Sequence, residues 1–266
     1  MSRRIAALEA EHGRRIGLHA RNLRTGRELN HRPDERFVMC STFKVLAAAA
    51  VLDGRLVTPD AQVLRRRASW PPSLVAGAGY AARMQEWQDA AYRPLVAEVC
   101  EAALVASDNA AGNWLLGLVG GPGAIIRLAR DLGDPVTALT RWEPDLNQWV
   151  PGATRDTTTP RAQGGNYAAL LLGRALAPSD RRRLHDWMAA STTGAKALRA
   201  GLLPGWTIVE KTGSGDFGAR NDVGVARTPD GTPVVISCLT NGLASTDQPL
   251  DAVLADVGRV CAETLG

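Results

Sequence analysis

A chain of 266 residues with 45% hydrophobic and 22% charged residues is long enough to bury a substantial core, as one large domain or two closely joined lobes. Its net charge of +4 draws on the short runs Arg65–Arg67 and Arg181–Arg183, which lack interleaved aromatic residues and read as solvated faces, not as a nucleic-acid surface. No stretch approaches the ~18 apolar residues of a membrane span, and the scattered four cysteines and four histidines offer no metal-ligand spacing.

In chain order, the basic start Met1-Ser2-Arg3-Arg4 runs into an amphipathic helix over 3–12. Glu9 and Glu11 interrupt it, so it lacks the apolar stretch of a secretory leader. Residues 15–23 read as a strand that turns at Arg24-Thr25-Gly26 into a second at 27–30, a hairpin. Residues 41–52 are apolar nearly all round apart from Lys44 and stop before Gly54, the pattern of a buried central helix. From Asp60 to about Thr193 the periodicity is helical, with irregular loops at 67–79 and 141–160. Strand patterns return at 206–211, 219–226 and 234–239, and a last helix covers about 249–265. These elements predict an α+β fold. Residues 1–40 and 194–266 would form an α/β lobe, with a five-stranded antiparallel sheet flanked by the terminal helices. Residues 41–193 would form an all-α lobe, with the site in the cleft between the two.

Only three of the 31 basic side chains are lysines, at 44, 196 and 211. Arginine keeps its charge in proteins, whereas an ammonium gives up its proton when its surroundings lower its pKa. Each lysine in so arginine-rich a chain is therefore a candidate chemical necessity, although Lys196 reads as an ordinary surface residue.

In Ser41-Thr42-Phe43-Lys44, the hydroxyl and the ammonium lie three residues apart and share one helix face. The N–H groups at the helix start also favour a developing anion, and a lysine held in a dry cleft can serve the serine as base. Alone, the pattern is better read as a helix cap followed by an incidental lysine. Two further motifs change that balance. Ser107-Asp108-Asn109 follows a helical stretch at 95–106, and Lys211-Thr212-Gly213 ends the first late strand. Each by itself reads equally well as an ordinary turn. In this order, the three resemble the motif set of serine β-lactamases and penicillin-binding proteins.

A fourth element separates those branches. Arg141-Trp142-Glu143-Pro144-Asp145-Leu146-Asn147, closed by Arg155-Asp156, resembles the omega loop of class A β-lactamases, and the resemblance spans nearly the whole chain. It implies that Ser41 attacks the lactam carbonyl and that the N–H groups of Ser41 and Ser214 form the oxyanion hole. Ser107 would relay a proton to the leaving nitrogen, and Lys211 would add positive potential. Asn109, Thr212, Gly213, Ser214 and Arg220 would hold substrate, with Arg199 the other cation available to its carboxylate. Glu143 and Asn147 would hold the deacylating water. Asp108 would be structural, as would Arg141, Asp156 and a cis Glu143–Pro144 bond that shape the loop. Whether Lys44 or Glu143 is the acylation base stays open.

The resemblance further implies a monomer acting on small β-lactams in the periplasm or outside the cell, with no cofactor, metal, nucleic acid or membrane partner. The absence of a leader in this chain fits a mature form or a cytoplasmic one. Three departures stand out. The stretch from Ser41 to Ser107 is longer than usual, and its 65–92 part matches poorly, so no aromatic can be assigned to the lip of the cleft. Ala48 stands where many members have a cysteine to bridge Cys100. Gly215 stands where some carbapenem-hydrolysing members pair Cys40, so free thiols are expected. A D,D-peptidase or esterase on the same fold would have no use for Glu143 and Asn147, and a non-hydrolytic sensor or biosynthetic homologue would only bind.

Overall fold

The computed structural model describes residues 2–53 and 62–266; the expected boundaries at Gly54 and Asp60 lie outside them. Helix α1 (Ser2–His12) leads into β1 (Arg14–Asn22), which turns back through β2 (Glu28–His31). The turn is built by Asn22, whose Oδ1 accepts the N–H groups of Arg24 and Thr25 at 3.0 Å each, an arrangement that asparagine favours. After β3 (Phe37–Val38) and a short 3-10 turn at Cys40–Thr42 comes α2 (Phe43–Asp53). Residues 43–52 of α2 are all buried, as expected of a helix with no polar face.

The helical region continues with α3 (Pro72–Ala76), α4 (Ala82–Asp89), α5 (Val96–Val105), α6 (Asn109–Val119) and α7 (Pro122–Asp131). Beyond the irregular loop and β4 (Thr157–Thr158) lie α8 (Pro160–Leu171), α9 (Pro178–Ala189) and the short α10 (Leu198–Gly201). Proline opens α7, α8 and α9, where its fixed φ suits the first turn and its missing N–H costs nothing. Strands β5 (Thr207–Gly215), β6 (Ala219–Arg227) and β7 (Pro233–Gly242) follow, and α11 (Asp251–Leu265) closes the chain.

The main sheet is antiparallel with strand order β2-β1-β7-β6-β5, so the expected α+β arrangement is present. It separates two apolar cores. One surrounds α2 and draws Val209, Val223, Val225, Val235 and Leu239 from the sheet. The other fills the space between the sheet and helices α1 and α11. Three details differ from the sequence reading. β3 and β4 form a separate two-stranded sheet, too short to show alternation in a sequence. Helix α3 occupies part of the expected 67–79 loop, and β5 runs past Lys211-Thr212-Gly213 to Gly215.

All four cysteines are free and fully buried. Burial pushes the Cys100 and Cys261 thiols up to about 12, which makes them inert packing groups at neutral pH. A Cβ placed on Gly215 would lie 2.7 Å from the Cys40 Sγ, so the two positions do adjoin, and glycine offers no sulfur.

Candidate active site

Ser41 sits in the 3-10 turn at the start of α2, and the fully buried Lys44 extends back toward it, its Nζ 2.8 Å from the Ser41 Oγ. The same Nζ meets the Ser107 carbonyl at 2.8 Å, the Asn109 Oδ1 at 2.7 Å and the Glu143 Oε1 at 3.1 Å. Desolvation lowers the Lys44 pKa, and the neighbouring Glu143 carboxylate opposes that fall. Four acceptor atoms thus surround a group with at most three N–H bonds. In its neutral form the amine has a lone pair that can take the Ser41 proton instead.

Ser107 and Asn109 reach this point because the chain bends sharply between α5 and α6. Ser107 has φ +59°, a left-handed conformation that costs a serine about 1–3 kcal/mol. Asp108 anchors the bend: its Oδ1 caps α6 through the Ala111 N–H at 2.9 Å, and its Oδ2 accepts the Met84 N–H at 3.0 Å. The Ser107 hydroxyl accepts from the Lys211 Nζ at 2.8 Å. Lys211 is itself fully buried, and desolvation, then the positive Lys44 and Arg220, hold its pKa well down.

The β5 edge closes the other side. A Cβ on Gly213 would come within 2.9 Å of the Cys40 Cβ and 3.1 Å of the Ser41 N, so the strand approaches the head of α2 only because residue 213 has no side chain. Since β5 is the last strand of the sheet, its outer N–H and C=O groups face the cleft unpaired by any strand. The cleft holds about 250 Å³, lined by Ser41, Ser107, Asn109, Asn147, Thr212, Ser214 and Arg220 among others.

The irregular loop over 141–156 supplies the floor. Arg141 Nε bonds the buried Asp156 Oδ2 at 2.6 Å, while the Asp156 Oδ1 takes the N–H groups of Thr140 and Arg141 at 2.7 and 3.0 Å. The Glu143–Pro144 peptide is cis. The Asn147 amide donates to the Glu143 Oε2, and among the described residues the buried Asn147 Oδ1 has no hydrogen-bond partner. Ser41, Ser107, Asn109, Asn147, Thr212, Gly213, Ser214 and Arg220 thus line one cleft, with Lys44 and Glu143 bonded to Ser41 and Lys211 to Ser107 behind it.

Against known proteins, the β-lactamase enzyme family matches residues 1–265. A β-lactamase of Streptomyces lavendulae is 44% identical over 99% of this chain and 86% of its own length. The solved β-lactamase of Streptomyces albus G superposes with a TM-score of 0.95 at 43% identity, over 100% of this chain and 99% of the other. A class A β-lactamase from Clostridium kluyveri gives 0.92 at 32% identity, over 99% and 97%. The chain belongs to the class A β-lactamase family.

This β-lactamase is thus a hydrolase that acts on β-lactams. Several residues that shape its site escaped the sequence reading. Asn113 of α6 holds the Glu143 backbone from both sides, donating to its carbonyl at 2.9 Å and accepting its N–H at 2.8 Å. Tyr80, 51% exposed, lines the cleft and supplies the lip aromatic that the 65–92 stretch had hidden. Arg220 is steered by Asp251 (2.7 Å), the Thr193 carbonyl (2.9 Å) and the Ser214 hydroxyl (3.1 Å). Arg199, the other cation considered for substrate, instead meets the buried Glu210 at 2.8 Å. Burial, then the adjacent Asp222, push the Glu210 carboxyl up, and Arg199 opposes that rise.

The loop neck makes a direct prediction. In Asp156→Asn, an amide group replaces one carboxylate oxygen, so an N–H either faces the Arg141 guanidinium or displaces the two backbone N–H groups. With Asp156 fully buried and Arg141 22% exposed, the loss should be about 2–4 kcal/mol. Thermal unfolding should show a lower Tm, and penicillin turnover should fall with it. An unchanged Tm would show that the neck is held by something else.

Proposed function

We propose that this β-lactamase opens penicillins and cephalosporins through an acyl ester on Ser41, with Lys44 as acylation base and Glu143 as deacylation base. The observation that carries the reading is the 2.8 Å contact from the Lys44 Nζ to the Ser41 Oγ, set against 3.5 Å from Ser41 to the Glu143 Oε1. In acylation, the Ser41 proton passes to the neutral Lys44 amine while Oγ attacks the lactam carbonyl. The backbone N–H groups of Ser41 and Ser214 take the developing oxyanion. As the C–N bond breaks, the Ser107 hydroxyl protonates the nitrogen and is resupplied from Lys44 or Lys211.

In deacylation, Glu143 takes a proton from a water as that water attacks the ester. A proton passes from Glu143 through Lys44, 3.1 Å from the Glu143 Oε1 and 2.8 Å from the Ser41 Oγ, to the departing serine oxygen. A water that donates to the Glu143 carboxylate and to the Asn147 Oδ1 satisfies the buried acceptor that the protein leaves unpaired. Thr212, Gly213 and Asn109 hold the substrate along the β5 edge. Asp108 supports them, and Arg141, Pro144 and Asp156 shape the loop. On this reading the reaction uses no cofactor, and the enzyme acts as a monomer in the periplasm or outside the cell.

A chromogenic cephalosporin tests the reading: hydrolysis should continue over many enzyme equivalents. A burst followed by arrest would indicate a peptidase-like or sensor protein. Arg220 carries a second test. Its Nε is committed to Asp251, which turns the two terminal nitrogens toward Ser214 and the cleft, where they can bind the substrate carboxylate. Arg220→Ala should raise the KM for benzylpenicillin roughly 10- to 100-fold, the equivalent of a lost charged hydrogen bond, and change kcat less. An unchanged KM would assign the carboxylate to another group.

A further inference from the structure

Thr193 lies in the turn between α9 and α10 and lines the catalytic cleft, yet none of the sequence motifs includes it. Its place is fixed from both sides. Thr192 donates twice to the Val105 carbonyl at the end of α5, from its N–H at 3.1 Å and from its hydroxyl at 3.0 Å. Gly194 lies so close against β5 that a Cβ there would collide with the Glu210 carboxyl, an approach open only to glycine. Held between them, the Thr193 Oγ1 meets the Thr212 Oγ1 at 2.6 Å.

Thr193 thereby touches two groups of the substrate-binding face at once. Its hydroxyl bonds Thr212, with the Ser191 Oγ at 3.4 Å on its other side, and its carbonyl accepts the Arg220 Nη2 at 2.9 Å. A threonine hydroxyl has one proton to give, so the 2.6 Å contact has a direction. If Thr212 donates, its proton is spent on Thr193 and its lone pairs face an arriving carboxylate. If Thr193 donates, the Thr212 proton is free for the cleft. A carboxylate accepts and cannot donate, so it selects the second arrangement. The bonds then run from Thr193 to Thr212 to substrate, and each polarises the next.

We propose that Thr193 is a positioning residue for recognition of the substrate carboxylate: its hydroxyl orients and polarises the Thr212 hydroxyl, while its carbonyl sets the Arg220 guanidinium. The inference rests on the reading above, in which Thr212 and Arg220 hold substrate, and adds the residue that aligns them.

Thr193→Val keeps the branched shape and the carbonyl and removes the hydroxyl, whereas Thr193→Ser keeps the hydroxyl. The whole enzyme is compared on benzylpenicillin and on its methyl ester, which has the same rings and side chain but no carboxylate. For the ester, kcat/KM is taken from its decay under excess enzyme. The acid-to-ester ratio of kcat/KM should fall about 3- to 10-fold in Thr193→Val, the range of one neutral hydrogen bond, and the loss on benzylpenicillin should lie in KM more than in kcat. Thr193→Ser should restore the ratio, and Thr212→Val should lower it at least as far as Thr193→Val. Equal losses on acid and ester in Thr193→Val would show a purely structural role and overturn the proposal, as would a ratio just as low in Thr193→Ser. A ratio that falls in Thr212→Val but not in Thr193→Val would overturn this inference alone. One unchanged in both would also remove Thr212 from the carboxylate.

Discussion

Glu143→Ala will remain acylated by benzylpenicillin far longer than the parent enzyme, while the acylation step survives. A general base contributes ~10²–10⁴ in rate, and that factor should appear almost wholly in deacylation. The reason lies in the charges around Lys44. Desolvation pushes its pKa down, and the Glu143 carboxylate is the first influence holding it up. Without that carboxylate the amine is more readily neutral, and its 2.8 Å contact with the Ser41 Oγ does not depend on residue 143. The loop also keeps its position, because Asn113 holds the backbone of residue 143 and not its side chain. What disappears is the acceptor for the water proton, leaving the Asn147 Oδ1 as the unpaired buried side-chain acceptor on that loop among the described residues. Mass spectrometry after mixing should show the penicilloyl adduct persisting roughly a hundredfold or more longer than in the parent. Hydrolysis at the parent rate would remove Glu143 from the mechanism.

The same cluster explains what could be read from the sequence and what could not. The helix beginning at Ser41, the bend at Ser107–Asn109 and the strand carrying Lys211 each combine a short local pattern with ordinary periodicity, so both their type and their chemistry were visible. The terminal helices and the sheet were visible for the same reason. The supporting residues were not. Asn113 is the one polar position within α6 beyond its first residue, Asn109, and nothing local says that its amide reaches a backbone thirty residues later. Asp251 and Thr193 meet Arg220 only after the sheet has folded. Tyr80 lay in a stretch whose short helices α3 and α4 have little apolar periodicity, and its carbonyl, which accepts the Asn109 N–H at 2.7 Å, is a backbone feature that no side-chain pattern encodes. Arg199 had the right charge, but its partner is Glu210, and a sequence does not say which face of a strand a distant arginine will approach.

Ser41→Ala, Lys44→Ala and the double variant should all lose activity to nearly the same degree. Each single change should lower kcat/KM by ~10⁴ or more, and the double should fall no more than a few-fold below the worse single. Groups that act as one unit show this non-additivity, because once the unit is broken its other member has nothing left to contribute. The geometry makes Ser41 and Lys44 such a unit. A serine hydroxyl is a weak nucleophile until a base takes its proton. Among the described residues, the Lys44 Nζ lies 2.8 Å from its Oγ, and the only other titratable group bonded to that oxygen, Glu143, is at 3.5 Å. Among the described residues Lys44 bonds no other hydroxyl: its remaining polar partners are the Ser107 carbonyl, the Asn109 amide oxygen and the Glu143 carboxylate. Activity that survives in both singles must come from the oxyanion site and substrate binding, which neither change touches. Ser41→Ala should also lose all covalent labelling by penicillin, whereas Lys44→Ala should label slowly at Ser41. Independent effects would multiply to ~10⁸ in the double variant, far below either single. That outcome, or a penicilloyl group found on any residue other than Ser41, would break the assignment of base to nucleophile.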